Sequence, residues 1–401
     1  MKILVLSTIY PRNDVKKNSA ATKVVHYFVS QWTKMGHQVV VIHTAGRSFK
    51  LLHLLPQSIK NEIKTRSGIE ITDINITKKC EYNYEGIEVF RRPIFKSIPH
   101  ALPSKAQIQR VCRDICEYLK KRSFEPELII SHWSCPTIQL LSELNKMYSC
   151  RKSIVIHETQ YLTVMKEKWQ NELKSIDVFG CRSSSLSKKI AETLGLKKYP
   201  FVCASGVPED YLETVELDTD KFDGPLKRYI FVGELIARKN CESVIKALAS
   251  VCDHDWHIDI VGDGAEMQSL KKLLCNLKIE EHVTFHGKVS RDEVIRLMRQ
   301  AQCFIMPSRA EAFGLVYLEA MACSCITIGS RGEGIDGIIN DKQNGYLVQA
   351  GSVDDLEDTL KQLLKMNTKS LKFIAENGYK TAQNYSDFAV AKRYLDDVIA
   401  W

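Results

Sequence analysis

Residues 303–321, CFIMPSRAEAFGLVYLEAM, decide how the chain is read. The apolar run ends at Met306, the polar turn Pro307-Ser308-Arg309 follows, and a helix is expected to begin near Phe313. A strand that turns straight into a helix leaves the first helical amides unpaired and aims the positive end of the helix dipole at the turn. Phe313, Gly314 and Leu315 are therefore the candidate cradle for a diphosphate, and Gly314 lets the backbone come close. Glu311 lies in the turn and Glu319 inside the helix, so the two carboxylates do not share one helical face and are expected to do different work.

Outward from this stretch, short apolar runs alternate with helix-length segments. Strands are expected at 229–232, 257–261, 283–285, 303–306, 325–328 and 346–348, with helices between them. An earlier series of the same kind has strands at 3–6, 39–42, 128–131 and 153–156. Such alternation predicts an α/β protein with two Rossmann-like, doubly wound domains facing across a cleft. The expected divisions are 1–204, 205–385 and a C-terminal helix at 386–401 that crosses back to the N-terminal domain. The polar stretch 208–227, with DTD and FDGP in it, reads as the linker.

Of 401 residues, 44% are hydrophobic and 26% charged, which excludes disordered, fibrous and membrane-spanning classes. The opening MKILVLSTIYP loses its apolar run after Leu6, too soon for a signal-peptide core, so it reads as a first strand and a cytoplasmic location is expected. Thirteen cysteines without a CxxC pair read as reduced thiols rather than a zinc site. Net charge is +8, but the first 200 residues hold 33 Lys/Arg against 17 Asp/Glu and the rest 23 against 31. The basic half fits an anionic surface, and peripheral attachment to the inner face of a membrane is the expectation that goes with it. No nucleic-acid-binding module is recognisable.

Glu311 and Glu319, with Phe313-Gly314-Leu315 between them, resemble the signature of the retaining glycosyltransferases of family 4, which adopt the GT-B fold. FVGELIARKN at 231–240, IVGDGAEM at 260–267, VTFHGKV at 283–289 and NGYLV at 344–348 match further family motifs in order. The resemblance is dense from about 200 to 350 and sparse before. It implies a metal-independent, retaining transferase of hexosyl type. Such an enzyme moves a sugar from a UDP- or GDP-linked donor to a saccharide or lipid-linked acceptor, in surface polysaccharide or glycolipid assembly of the bacterial type.

By the same resemblance, Arg238 and Lys239 hold the donor diphosphate, where cations stabilise charge on the departing group. Gly233, Gly262, Thr284, Phe313, Gly314, Leu315 and Glu319 complete the donor side, Thr284 through its main chain and Glu319 at the ribose. Glu311 orients the sugar. His157, after the strand SIVI, matches a strand-end histidine near the transferred sugar or the acceptor. Two departures stand out: Glu234 follows Gly233 where the family often has Arg, and Ser19-Ala20 stand where a glycine-rich loop is expected. These departures keep a sugar-nucleotide-binding scaffold without transfer among the alternatives, beside a nucleotide-sugar epimerase. No organic cofactor or metal is expected, since Asp218-Thr219-Asp220 and Asp253-His254-Asp255 have the DxD form but do not close an apolar strand. The GxGxxG at 332–337 is expected to form a loop facing the donor.

Overall fold

KILVLS, QVVVIH and RKSIVI bury nearly every side chain on both faces of the pleat, which requires a sheet covered by helices on each side. The computed structural model describes residues 1–12, 23–47, 52, 54–60, 62, 78–95, 102–157, 161–252 and 255–401. Over these the chain forms two units: 1–181 with 187–203 and 391–401, and 182–186 with 204–390.

The first unit is built on β1 (Lys2–Ser7), β2 (Gln38–His43), β4 (Cys80–Tyr84), β5 (Ile87–Arg91), β7 (Leu128–His132), β8 (Arg151–Ile156), β9 (Val178–Cys181) and β10 (Phe201–Val202). Their order is β10-β9-β8-β7-β1-β2-β5-β4, parallel throughout except for the β4–β5 hairpin. A separate ribbon pairs β3 (Gly46–Arg47) with β6 (Ile94–Phe95). The strand order reverses between β1 and β7, and His132 ends β7 there. Helix Lys105–Lys121 starts in a capping box between Ser104 and Gln107, as the sequence SKAQ allows.

Helix Asp387–Ala400 passes from one unit to the other, and from Ala391 onward it packs in the first. Trp32 Nε1 donates to the Ala391 carbonyl at 2.9 Å, and Tyr394 meets Phe28 and Trp32 edge-on, with centroids 5.3 and 5.2 Å away. Arg151 Nη1 donates to the Val398 carbonyl at 2.8 Å.

The second unit has β11 (Arg228–Val232), β12 (His257–Val261), β13 (Val283–Gly287), β14 (Cys303–Ile305), β15 (Ile326–Ser330) and β16 (Tyr346–Val348). Their order, β13-β12-β11-β14-β15-β16, is the doubly wound order of nucleotide-binding sheets. The switch point lies between β11 and β14, and ligands of such sheets bind beyond the carboxyl ends of the strands on either side of it.

The stretch 208–227 is not a free linker. It forms helix Glu209–Thr214 and a short turn at Asp220–Phe222, and it buries Tyr211, Val215, Phe222 and Leu226. Lys221 Nζ donates to the carbonyls of Ala301 (2.6 Å) and Cys323 (2.8 Å), so polar residues here close helix and strand ends of the second unit. Apolar residues spaced irregularly through a polar run gave no periodic signal.

The exits of β11 and β12 are laced together by main chain. Gly233 N–H donates to Val261 O at 2.9 Å, Leu235 N–H to Asp263 O at 3.0 Å and Gly262 N–H to Gly287 O at 2.9 Å. Gly262 has φ +140, and a Cβ there would lie 1.8 Å from the Gly233 carbonyl oxygen. Gly262→Ala is expected to lower stability by about 2 to 4 kcal/mol through clash and backbone strain, read as a lower urea midpoint.

Candidate active site

At the switch point of the second unit, the turns after β11 and β14 meet at the Glu311 carboxylate. Lys239 Nζ donates to Glu311 Oε2, Ser308 Oγ donates to the same oxygen at 3.3 Å, and Arg238 Nη1 lies 3.7 Å away. The side chains of Lys239 and Glu311 are only 12% and 11% exposed, whereas Arg238 is 45% exposed. The main chain of Glu311 is held as firmly. Its N–H donates to Glu333 Oε2 at 2.7 Å, and its carbonyl accepts from Gly334 N–H at 2.8 Å. The 332–337 loop is therefore a strap across Glu311. Gly334 is required by that contact, since a Cβ would lie 2.4 Å from the backbone of Phe313.

The helix after this turn is Leu315–Ala322, two residues later than the sequence suggests. Gly314 is the cause: at φ +79 it occupies the left-handed region and caps the helix instead of entering it. The first helical amides are those of Leu315 and Val316, while Phe313 is buried with the Arg182 guanidinium 5.1 Å from its ring centroid. Tyr317 is fully buried; its hydroxyl donates to Met306 O and lies 3.0 Å from Ser308 Oγ, fixing the turn from beneath.

Glu319 points to a different partner. Arg291 Nη2 donates to its Oε1 at 2.7 Å, and the Arg291 guanidinium also sits 5.2 Å from the Tyr211 ring centroid. Burial pushes the Glu319 carboxyl above the ordinary glutamate range, and Arg291 opposes that rise. Gly262 and Gly264 face protein backbone, with the Leu235 carbonyl 2.3 Å from a Cβ at 264. Thr284 lies in the edge strand β13, two strands from β11, with its hydroxyl 3.1 Å from His257 Nε2.

In the first unit, His157 follows β8, is partly exposed and stacks on Trp133, with centroids 4.3 Å apart. Its Nε2 lies 3.0 Å from Nδ1 of the buried His132. Ser19 and Ala20 lie outside the described residues, as do Asp253 and His254. Asp220 N–H donates to Asp218 Oδ1 at 3.2 Å, a local turn. Among the described residues no cluster of three His, Cys, Asp or Glu could hold a metal ion, and no helix is long and apolar enough to cross a membrane.

Residues 218–381, which hold Glu311, Lys239 and the strap, match the family model for glycosyl transferases group 1. Within the second unit, residues 218–381 thus form a glycosyl transferases group 1 domain. The chain is 24% identical over 334 residues to an uncharacterized glycosyltransferase, MJ1178, of Methanocaldococcus jannaschii, covering 82% of this chain and 89% of that one. Identity rises to 39% over 128 residues with the N-acetyl-alpha-D-glucosaminyl L-malate synthase of Bacillus anthracis, a match spanning 32% of this chain and 33% of that protein. Among solved structures, Anabaena Alr3699/HepE in complex with UDP superposes with a TM-score of 0.67 at 16% identity, covering all of both chains. The glycosyltransferase thus has the GT-B fold.

Four residues of this glycosyltransferase escape a reading of its motifs: Ser308, Glu333, Arg291 and His132. Ser308 lies inside the quoted stretch and Glu333 inside the GxGxxG, so both were within reach; Arg291 and His132 act on partners 28 and 25 residues away and carry no local signal.

Burial of Glu319 makes stability pH-dependent, and Arg291 moderates the effect. A buried carboxyl whose folded pKa is raised holds its proton more tightly in the native state, so stability falls as pH rises through the window above the unfolded value. Arg291→Ala removes the influence that lowers the Glu319 pKa. It is expected to cost no more than about 1 kcal/mol at neutral pH, since Arg291 is 42% exposed. The deficit should vanish below the ordinary glutamate range, as followed by thermal midpoints of both proteins across pH.

Proposed function

We propose that this glycosyltransferase moves a hexosyl group from a nucleotide-sugar to an acceptor hydroxyl with retention of anomeric configuration and without a divalent ion. The observation that carries this reading is the convergence of Lys239, Arg238 and the start of helix Leu315–Ala322 on the Glu311 turn at the sheet's switch point. A departing nucleoside diphosphate meets two cations and the positive end of a helix there, which supplies the neutralisation that a metal would otherwise give. The UDP in the Anabaena complex and the glucosaminyl group named for the Bacillus relative support a nucleotide-sugar donor.

Glu311 is assigned to the sugar hydroxyls, since its carboxylate is anchored beside the cations. Glu319 is assigned to the ribose and Thr284, through its main chain, to the base; Arg291 opposes the rise that burial imposes on the Glu319 carboxyl. His157 is assigned to the acceptor side, where an imidazole can give or take a hydrogen bond near neutral pH. A saccharide or lipid-linked acceptor, in surface polysaccharide or glycolipid assembly at the inner face of a membrane, accords with the excess of Lys and Arg in the first 200 residues.

A panel of UDP- and GDP-sugars, screened for thermal stabilisation and then for release of nucleoside diphosphate, tests the reading. Lys239→Ala is expected to reduce release by about 100-fold to 1,000-fold, the loss typical of one preorganised charge stabiliser. Glu311→Gln should reduce release while leaving stabilisation by free UDP or GDP in place. Full turnover in both variants would overturn the assignment.

A further inference from the structure

His132 is fully buried at the end of β7, yet a polar group faces each of its ring nitrogens. Nδ1 lies 3.0 Å from Nε2 of His157, and Nε2 lies 3.4 Å from the hydroxyl of Tyr394. The ring is near-parallel to Phe28, with centroids 6.0 Å apart, and Tyr394 meets it edge-on at 5.8 Å. These contacts leave the His132 ring one orientation. His157 is fixed from its own side by the Trp133 indole, inclined only 16° to it, and Trp133 holds φ +66, a conformation disfavoured for a bulky side chain. Side chains with ring planes fixed this closely act through which nitrogen bears the proton.

Two imidazoles that face each other through one nitrogen apiece must share a single proton, since one gives an N–H and the other a lone pair. The Tyr394 hydroxyl, 3.4 Å from His132 Nε2, can complete one of the two arrangements by donating. When it donates to His132 Nε2, the His132 proton is on Nδ1 and points at His157 Nε2. His157 must then carry its own proton on Nδ1. We infer that His132 is a positioning residue and Tyr394 its orienter, together setting His157 as a neutral ring that donates from Nδ1 rather than one that acts as a base there. The inference rests on the assignment of His157 to the acceptor side. It also gives the segment 391–401 a part in the reaction, because Tyr394 reaches the first unit on it.

The tautomer is read directly by long-range nitrogen–proton NMR on the full chain with ring-15N histidine, His157 being assigned by its loss in His157→Gln. The native chain is expected to show Nδ1 in the N–H range and Nε2 in the lone-pair range. In His132→Leu the two shifts should converge as the tautomers mix, and His132→Asn, whose amide can donate in place of Nδ1, should restore them. Tyr394→Phe keeps the ring contacts, drops only the hydroxyl and should shift both nitrogens in the direction of His132→Leu; it serves alone if the leucine variant does not fold. A native His157 protonated on Nε2, or shifts unchanged in Tyr394→Phe, overturns the inference.

Hydrolysis of the sugar-nucleotide panel adds a second reading. His132→Leu should lower kcat about tenfold with KM unchanged, as expected for one orienting hydrogen bond, and His132→Asn should recover it. An unchanged kcat where the tautomer is lost would also overturn it. If the native chain hydrolyses none of the panel, that failure falls on the proposed transfer, and the tautomer measurement still decides the relay.

Discussion

The constraint on which the second unit's chemistry depends is the neutralisation of Glu311 in a place that water hardly reaches. A carboxylate that is about nine-tenths buried must be paired and hydrogen-bonded, or it gives up its charge. Lys239 and Ser308 meet that need at one oxygen, while Glu333 and Gly334 hold the main chain on either side of the same residue. The turn after β14, the turn after β11 and the 332–337 loop are thereby tied to a single group. An ammonium carries three donors, so Lys239 can keep Glu311 and still offer hydrogens to a phosphate oxygen. Arg238, more exposed and farther from the carboxylate, has the freer charge. The pairing accounts for why a cation and an anion are found together at the point where an anionic ligand is expected.

Most of the fold was legible because it depends on local patterns. Runs such as KILVLS and RKSIVI can only be central strands, and their alternation with helices implies parallel sheets and a switch point in each. Helix starts were less legible where backbone conformation overrides composition. FGLVYLEAM looks helical from its first residue, yet Gly314 at φ +79 delays the helix to Leu315 and moves the unpaired amides with it. The stretch 208–227 was misread for the opposite reason: its apolar residues lack a period, but Tyr211, Val215, Phe222 and Leu226 are buried in the second unit.

Glycine placement shows why motif and mechanism are easily confused. Gly262, Gly264 and Gly334 all sit in glycine-bearing motifs of the kind associated with phosphate loops, and each is required by a protein backbone within 2.4 Å of where its Cβ would be. Their conformational freedom serves the lacing of β11 to β12 and the seating of the strap on Phe313.

The residues that tune the site lie one contact behind those that the motifs name. Arg291 stands behind Glu319 and His132 behind His157, each within hydrogen-bond distance of the residue in front. For Glu319 the means is charge: a guanidinium 2.7 Å away opposes the rise that burial imposes on the carboxyl. For His157 the proposed means is geometry: the His132 ring, set among aromatics, presents Nδ1 to His157 Nε2 at 3.0 Å. A cation behind His157 would have drawn its lone pair away, and a carboxylate would have favoured the imidazolium. A second histidine does neither, and so suits the task proposed for His157, holding a neutral acceptor hydroxyl in place.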